Sequence, residues 1–425
     1  MNNKFERRHS RWYEVFLLGI AFQILIGLPF VVLIPGLERW GWDFWLYLPD
    51  VRRNTIAAIA LSFLCILFIL RRLMRFPGVK VASFIFPTVS VVFLIAMAIL
   101  LFTRERYTRQ VIGGGYILTL VWFYAGYFIG IRYRRLKFGV VPVGEALKLE
   151  PTTNVELRFL DSPELDGVRV DGIVADLHAN DLSGEWEHFL AECTLSQIPV
   201  YHVKQIQESL TGRVRIDRLS ENEYGSLLPS FFYMNCKRFI DTAAVLVTFP
   251  LTLPLMALTA VAIKLDSPGP ALFIQDRVGQ GNHTFRIYKF RSMGRDSEKD
   301  GAMLAQCNDM RITRVGKFIR KTRLDELPQF FNVLKGDMSP IGPRPEQRFF
   351  VDQFEKEIPF YIYRHVVKPG ITGWAQVVHG YASDADDTRI KIEHDFYYIK
   401  HFSLWIDILI AFKTLKTILT GFGAK

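Results

Sequence analysis

Four long apolar runs open the chain, at roughly 15–34, 55–70, 81–102 and 111–131. Each approaches the ~20 residues that a helix needs to cross a bilayer, the second being the shortest. A helix satisfies its own backbone hydrogen bonds, so these runs predict four transmembrane helices over 1–137. From 138 to 218 the chain turns polar, with short apolar stretches at 140–143, 155–159, 172–175 and 198–203 and a helical stretch at 185–195. That alternation predicts a small α/β domain over 138–230. A fifth apolar run follows at 243–263, containing Pro250 and Pro254, and a last one at 402–422 contains Lys413 and Lys416. The last run fits either an interfacial helix or a packed core helix.

Loop charges orient the membrane half. Lys4, Arg7, Arg8 and Arg11 precede the first run. Arg71, Arg72, Arg75 and Lys80 follow the second, and Arg132, Arg134, Arg135 and Lys137 follow the fourth. The other two loops mix acids with bases. Lys/Arg excess marks the cytoplasmic side, which places the N-terminus and everything after Arg132 in the cytoplasm. Trp12, Trp40, Trp42 and Trp45 suit the interfacial belt. No carboxylate or histidine lies deep in the four runs, so a proton or ion path is not expected; they read as an anchor or a contact between copies of the chain. The fifth run is long enough to cross, but crossing would put the rest of the chain outside the cell. A proline removes a backbone donor and bends a helix. Pro250 and Pro254 therefore predict a re-entrant helix at about 240–263 with both ends cytoplasmic.

Composition agrees with a membrane part joined to a polar part: half of the 425 residues are hydrophobic, mean hydropathy is +0.16, and 22% are charged. The net charge of +10 suits anionic lipid or phosphate ligands, and no nucleic-acid module is present. Cys65, Cys193, Cys236 and Cys307 form no metal or disulfide spacing and read as free thiols. The 138–230 segment has only Gly144 near a strand end and lacks a phosphate-binding glycine cluster, so it reads as structural or regulatory.

The chemistry concentrates in 231–425. The block 288–293 places Lys289 and Arg291 on one face if extended. Arg320, Lys321 and Arg323 crowd against Asp325 and Glu326, and a Gly-Pro-Arg-Pro block carries Arg344. A basic cluster alone is most often a solvated face, and an acidic pair alone suits a helix N-terminus. Cations framing an acidic pair read instead as a phosphate site.

These blocks resemble the polyprenyl-phosphate hexose-1-phosphate transferases, the monotopic phosphoglycosyl transferases. The matching pieces are Lys-Arg-Phe-Ile-Asp at 237–241, the proline-bearing helix, Lys-Phe-Arg-Ser-Met at 289–293, Arg-Leu-Asp-Glu-Leu-Pro-Gln at 323–329, Gly-Pro-Arg-Pro at 342–345 and Lys-Pro-Gly-Ile-Thr-Gly-Trp-Ala-Gln at 368–376. The resemblance covers 231–425. The four spans and α/β segment before it look like the large membrane subfamily that begins exopolysaccharide, capsule or O-antigen synthesis. Many members carry Ser-Pro at the helix break, where this chain has Phe249-Pro250 and Leu253-Pro254.

The resemblance implies transfer of a hexose-1-phosphate from a UDP-hexose to undecaprenyl phosphate, releasing UMP, with glucose and galactose as common sugars. It makes Asp325 the nucleophile of an aspartyl-phosphosugar intermediate, with Glu326 beside it. Arg320 would bind phosphate, with Arg323 in the same basic run, and Arg344 would lie on the nucleotide side. Lys289 would stand near the carboxylates, with Arg291 in its block. A carboxylate can accept a phosphoryl group covalently, and an acidic pair suits Mg²⁺. Two rivals remain: a glycosyltransferase, which would release UDP, and a non-catalytic scaffold, which would not need Asp325 and Glu326.

Overall fold

The computed structural model describes residues 19–74, 76, 81–133, 136–150, 155–165, 167, 170–215, 228–294, 311–379 and 385–420. Lys4, Arg7, Arg8, Arg11, Trp12, Arg75, Lys80, Arg134, Arg135 and Cys307 lie outside them. The described cysteines, Cys65, Cys193 and Cys236, are free. The chain divides into two compact units, Met1–Gly212 and Arg213–Lys425. The division falls earlier than the expected boundary at 230, because the Val214 amide already donates to the carbonyl of Glu393.

The first unit begins with α1 (Ile20–Trp40), α2 (Asp50–Leu73), α3 (Val81–Phe102) and α4 (Arg109–Tyr133). All four are long and apolar enough to cross a membrane. The second outgrows its apolar run because the helix continues into charged ends, Asp50 and Arg53 at one and Arg71 and Arg72 at the other. Many large apolar side chains, among them Leu61, Phe68, Leu94 and Ile99, face outward, as lipid-facing residues must. Small residues let these helices approach: Gly27 lies against the Trp122 indole, and Gly115 against Ile59. The Trp122 indole also donates to Gln23, within a π-helical turn at Gln23–Gly27.

The α/β part of this unit has β1 (Leu136–Val140), β2 (Val155–Phe159), β3 (Gly172–Ala175), α5 (Gly184–Leu195), β4 (Val200–His202) and α6 (Val203–Thr211). The strands form one parallel sheet in the order β2-β1-β3-β4. Its inner strand β3 is buried along its whole length, the mark of a parallel sheet covered on both faces. One face packs Phe189, Leu190 and Cys193 of α5, and the other Val203 and Ile206 of α6.

The second unit opens with α7 (Phe231–Asp266), a fifth helix apolar enough to span. Then come the hairpin β5 (Leu272–Val278) and β6 (Thr284–Phe290), α8 (Arg314–Lys321), α9 (Gln329–Lys335), β7 (Ser339–Ile341) and α10 (Arg348–Glu357). The chain ends with β8 (Gly370–Thr372), α11 (Trp374–Val378), α12 (Ala385–Lys400) and α13 (Leu404–Thr420). Helix α7 is longer than the expected 240–263, and its helical assignment runs without a gap through Pro250 and Pro254. The two prolines remove donors from the ladder without ending the helix. One stripe of α7 packs along the whole unit: Val245 and Phe249 against Ile287, Val333 and Met338, then Met256 and Ile263 against Phe290 and Ile319. The opposite stripe, including Leu246, Val247, Leu251, Leu258, Val261 and Leu265, is exposed and apolar. Of the two readings of the last run, the packed one holds for the first half of α13, where Ile406, Leu409 and Ile410 are fully buried.

Candidate active site

The acidic pair sits in a tight 3₁₀ turn, Leu324–Glu326, between α8 and α9. The turn is entered through Arg323, whose φ of 58° is left-handed. A non-glycine residue pays for that backbone, and such strain gathers at working sites. Glu326 is buried, and its Oε1 lies 3.4 Å from both Arg323 and Arg344. Asp325 differs: its Oδ1 is buried and accepts no hydrogen bond. Burial and the neighbouring Glu326 charge push the Asp325 carboxyl up to about 6, against Lys289, Arg323 and Arg320. Burial also pushes Glu326 up, but Arg344, Lys289 and Arg323 outweigh it and hold Glu326 below the usual range. The two carboxylates are thus driven apart, Glu326 as a fixed anion and Asp325 as the more basic oxygen.

The cations arrive from three elements. Lys289 comes from β6, where burial and Arg344 lower its ammonium to about 8, despite the pull of Glu326 and Asp325. Arg320 comes from the end of α8 and is braced by a 2.8 Å bond from its Nε to Ser292. Arg344 follows β7. Its position depends on a parallel pairing of β7 with β8 in which glycines are required. A Cβ on Gly370 would lie 2.0 Å from the Gly342 nitrogen, and one on Gly342 2.4 Å from the Lys368 carbonyl. The glycines of the Gly-Pro-Arg-Pro and Lys-Pro-Gly-Ile-Thr-Gly blocks therefore let two backbones touch, which sets Arg344 beside Glu326.

Arg291 departs from the expected pairing with Lys289. Its guanidinium donates to the carbonyls of Ser267 and Pro268 and to the Ser267 hydroxyl, at 2.8–3.0 Å. It fastens the end of α7 to the hairpin, because the chain leaves the strand at Phe290 and the same-face geometry of an extended pair ends there. Pro250 and Pro254 lie within α7, as described above. Sequence reasoning left unassigned the buried ion pair of Arg364 with Asp395, 2.8 Å apart, whose arginine also donates to the Arg344 carbonyl. Nothing in the spacing of 364 and 395 marks them as partners.

Among the described residues no group of three or more His, Cys, Asp or Glu could hold a metal ion. Mg²⁺ does not need one: it keeps several waters and takes one or two carboxylates plus substrate phosphates. The unpartnered, buried Asp325 oxygen fits such an ion.

At the strand-order reversal of the first unit's sheet, between the ends of β1 and β3, the amides of Gly144 and Glu145 donate to Asp181 and Asp176. Carboxylates of the chain itself fill the place where an open parallel sheet would receive a phosphate.

Comparison with known proteins agrees with the second unit's chemistry. Residues 232–421 match the family model described as bacterial sugar transferase. The chain is 58% identical over 421 residues to a UDP-N-acetylgalactosamine-undecaprenyl-phosphate N-acetylgalactosaminephosphotransferase of Aeromonas hydrophila, covering 99% of this chain and 100% of that one. It is 32% identical over 339 residues to a UDP-glucose:undecaprenyl-phosphate glucose-1-phosphate transferase of Klebsiella pneumoniae, covering 71% and 72%. A Xanthomonas campestris protein of the same description is 47% identical over 171 residues, 39% of this chain and 35% of that one. With the acidic pair, its cations and the membrane helices in place, the chain belongs to the bacterial sugar transferases and is a membrane-associated polyprenyl-phosphate phosphoglycosyl transferase.

Proposed function

We propose that the protein transfers N-acetylgalactosamine-1-phosphate from its UDP-sugar to undecaprenyl phosphate, releasing UMP. The whole-length relative favours this sugar over the glucose and galactose that the motifs alone imply. One observation carries the chemistry: a buried carboxylate oxygen with no hydrogen bond, on Asp325, near Lys289, Arg320 and Arg323, with Arg344 on the adjacent Glu326. An Asp325 oxygen attacks the sugar-linked phosphorus, the bond from that phosphorus to the UMP oxygen breaks, and UMP leaves. An oxygen of undecaprenyl phosphate then attacks the same phosphorus and frees the carboxylate, giving undecaprenyl-diphosphate-sugar. Arg344 and Lys289 offset the diphosphate charge, and Glu326 fixes Arg323 and Arg344 in place. Asp325 and Glu326 would hold Mg²⁺, which when bound neutralises phosphate charge. The released nucleotide tests the reading. Purified protein with UDP-N-acetylgalactosamine, Mg²⁺ and undecaprenyl phosphate is expected to yield UMP in step with lipid product. UDP in its place would make the protein a glycosyltransferase.

For topology we propose four transmembrane helices, α1 to α4, and a re-entrant α7 that enters and leaves on the cytoplasmic face of the inner membrane. Support comes from the ends of α7. If straight it would be about 54 Å long. Near its start, Lys237 and Asp241 are bonded to Asp407 and Ser339; at its end, Asp266 accepts from the Val315 amide. Both ends are thus fastened to one polar body, while the exposed stripe between them is apolar. Tags at residue 180 and at the C-terminus are expected to be protected from surface labelling in intact spheroplasts, with a tag at residue 45 accessible. Labelling of the C-terminal tag alone would mean that α7 crosses the membrane. The α/β part of the first unit is proposed to be non-catalytic.

A further inference from the structure

A cleft in the second unit opens beside the acidic pair and shares Arg344 with it. Its empty volume of about 440 Å³ includes open solvent at the mouth. Phe354, Tyr361 and Ile392 line part of it, beside three cations, Arg344, Arg364 and Lys391, and two acids, Glu346 and Asp395. Gln376 also lines it, and the Nε2 of its carboxamide is buried with no hydrogen-bond partner. A buried amide without a partner costs stability unless a ligand completes it. The short helix α11 holds this side chain rigidly, because the neighbouring Trp374 is fully buried and stacked on Tyr397 at 5.7 Å. The Gly342–Gly370 contact that places Arg344 also brings α11 to the same cleft, since α11 follows directly on β8.

We propose that this cleft binds the uracil of the nucleotide donor and that Gln376 reads its imide edge. The proposal rests on the reading that the donor is a UDP-sugar. A uracil ring presents a donor, N3–H, beside carbonyl acceptors; a carboxamide presents an acceptor and a donor at matching separation and can make both bonds. The aromatic residues Phe354 and Tyr361 in the lining suit a flat ring. The chemistry of attack selects the same end. The nucleotide leaves from the side of the phosphorus opposite the attacking Asp325 oxygen, and the sugar stays with the phosphorus. The cleft adjoins Arg344, which binds Glu326 from outside the turn that carries Asp325. Arg364 and Asp395, both at the cleft, fix the Arg344 backbone, so base and diphosphate subsites share one support.

The test uses full-length protein in detergent and titrates UMP and N3-methyl-UMP, which lacks the imide hydrogen. Wild type is expected to bind UMP about tenfold or more tightly than the methylated nucleotide. In Gln376→Met, UMP binding is expected to weaken about tenfold and the two nucleotides to become nearly equal, while the ratio of kcat/KM for UDP-N-acetylgalactosamine over UDP-N-acetylglucosamine is unchanged. Gln376→Glu, which keeps the acceptor and loses the donor, is expected to fall between. Unchanged UMP affinity in Gln376→Met, or a changed sugar ratio with UMP affinity intact, overturns the assignment; the second result would make the cleft the sugar site. Equal binding of the two nucleotides by wild type overturns it even if the variant fails to fold. Wild type that turns over UDP-sugar yet fails these comparisons sinks the base site alone. Wild type with neither UMP binding nor turnover of any UDP-sugar sinks the donor reading as well.

Discussion

Asp325→Asn is expected to abolish turnover, by at least about 10⁴-fold in kcat, the scale of losing a covalent nucleophile. The carboxylate is a competent nucleophile at neutral pH: burial and Glu326 raise it to about 6, so it stays largely ionised above pH 7 and is more basic than an ordinary aspartate. An amide oxygen is far weaker. The variant should still fold, because the change is nearly isosteric and the Oδ1 it alters has no hydrogen bond to lose. It should still bind UDP-sugar through Arg344 and Lys289. Wild type given UDP-N-acetylgalactosamine and Mg²⁺ without lipid is expected to release UMP in an amount no greater than the enzyme. Its intact mass should rise by one sugar phosphate, an adduct missing from the Asn variant. Glu326→Gln should slow the reaction and leave the adduct on Asp325, since Glu326 holds the two arginines rather than the phosphorus. If neither UMP nor adduct forms until lipid is added, attack is direct and Asp325 acts only as a metal or charge partner.

That residue was legible in the chain because its signal is local: a run of cations immediately before an acidic pair, inside a block that is specific at the level of consecutive residues. The apolar runs are legible for the same reason, each being a single segment whose length and composition state its environment. Sequence reading weakens where contacts are long-range. Lys289 and Arg291 look equivalent two residues apart, yet one feels the acidic pair and the other holds the end of α7, because the strand stops between them. Arg364 and Asp395 are separated by β8 and α11, and only the fold reveals that they hold the Arg344 backbone. Gln376 stood in a recognisable motif, but its unpartnered amide is a fact of packing. The α/β segment was readable as alternating strands and helices. The bonds from the Gly144 and Glu145 amides to Asp181 and Asp176 could not be read from it, because they join residues more than 30 positions apart.

The largest stability effect is expected at the buried start of α7. Lys237 donates to Asp407 at 2.6 Å, with both side chains 8% exposed. Tyr233 and Tyr398 donate to the two oxygens of Asp407, and Ser339 donates to Asp241, which lies 3.5 Å from the Lys237 ammonium. One cation therefore balances two buried carboxylates, and every member is hydrogen-bonded. Lys237→Met removes the cation hydrogen-bonded to both anions, and breaking such a buried pair costs about 3–5 kcal/mol. For a unit of this size that lowers Tm by roughly 6–20 °C. Asp407→Asn keeps an acceptor for the tyrosines but strands the ammonium with only Asp241, so its loss should be smaller. The double variant should be less destabilised than the sum of the two, because the bond removed by the second change is already gone. Thermal unfolding in detergent, followed by loss of UMP-forming activity, reads all three. A shift under 2 °C in Lys237→Met would show that the packed stripe of α7, not this network, fastens the helix. A large shift with unchanged kcat in the surviving fraction would separate the role of the network from chemistry. It would make the cluster what its position implies: the clamp that resists pulling the start of the apolar helix α7 away from the polar body that carries Asp325.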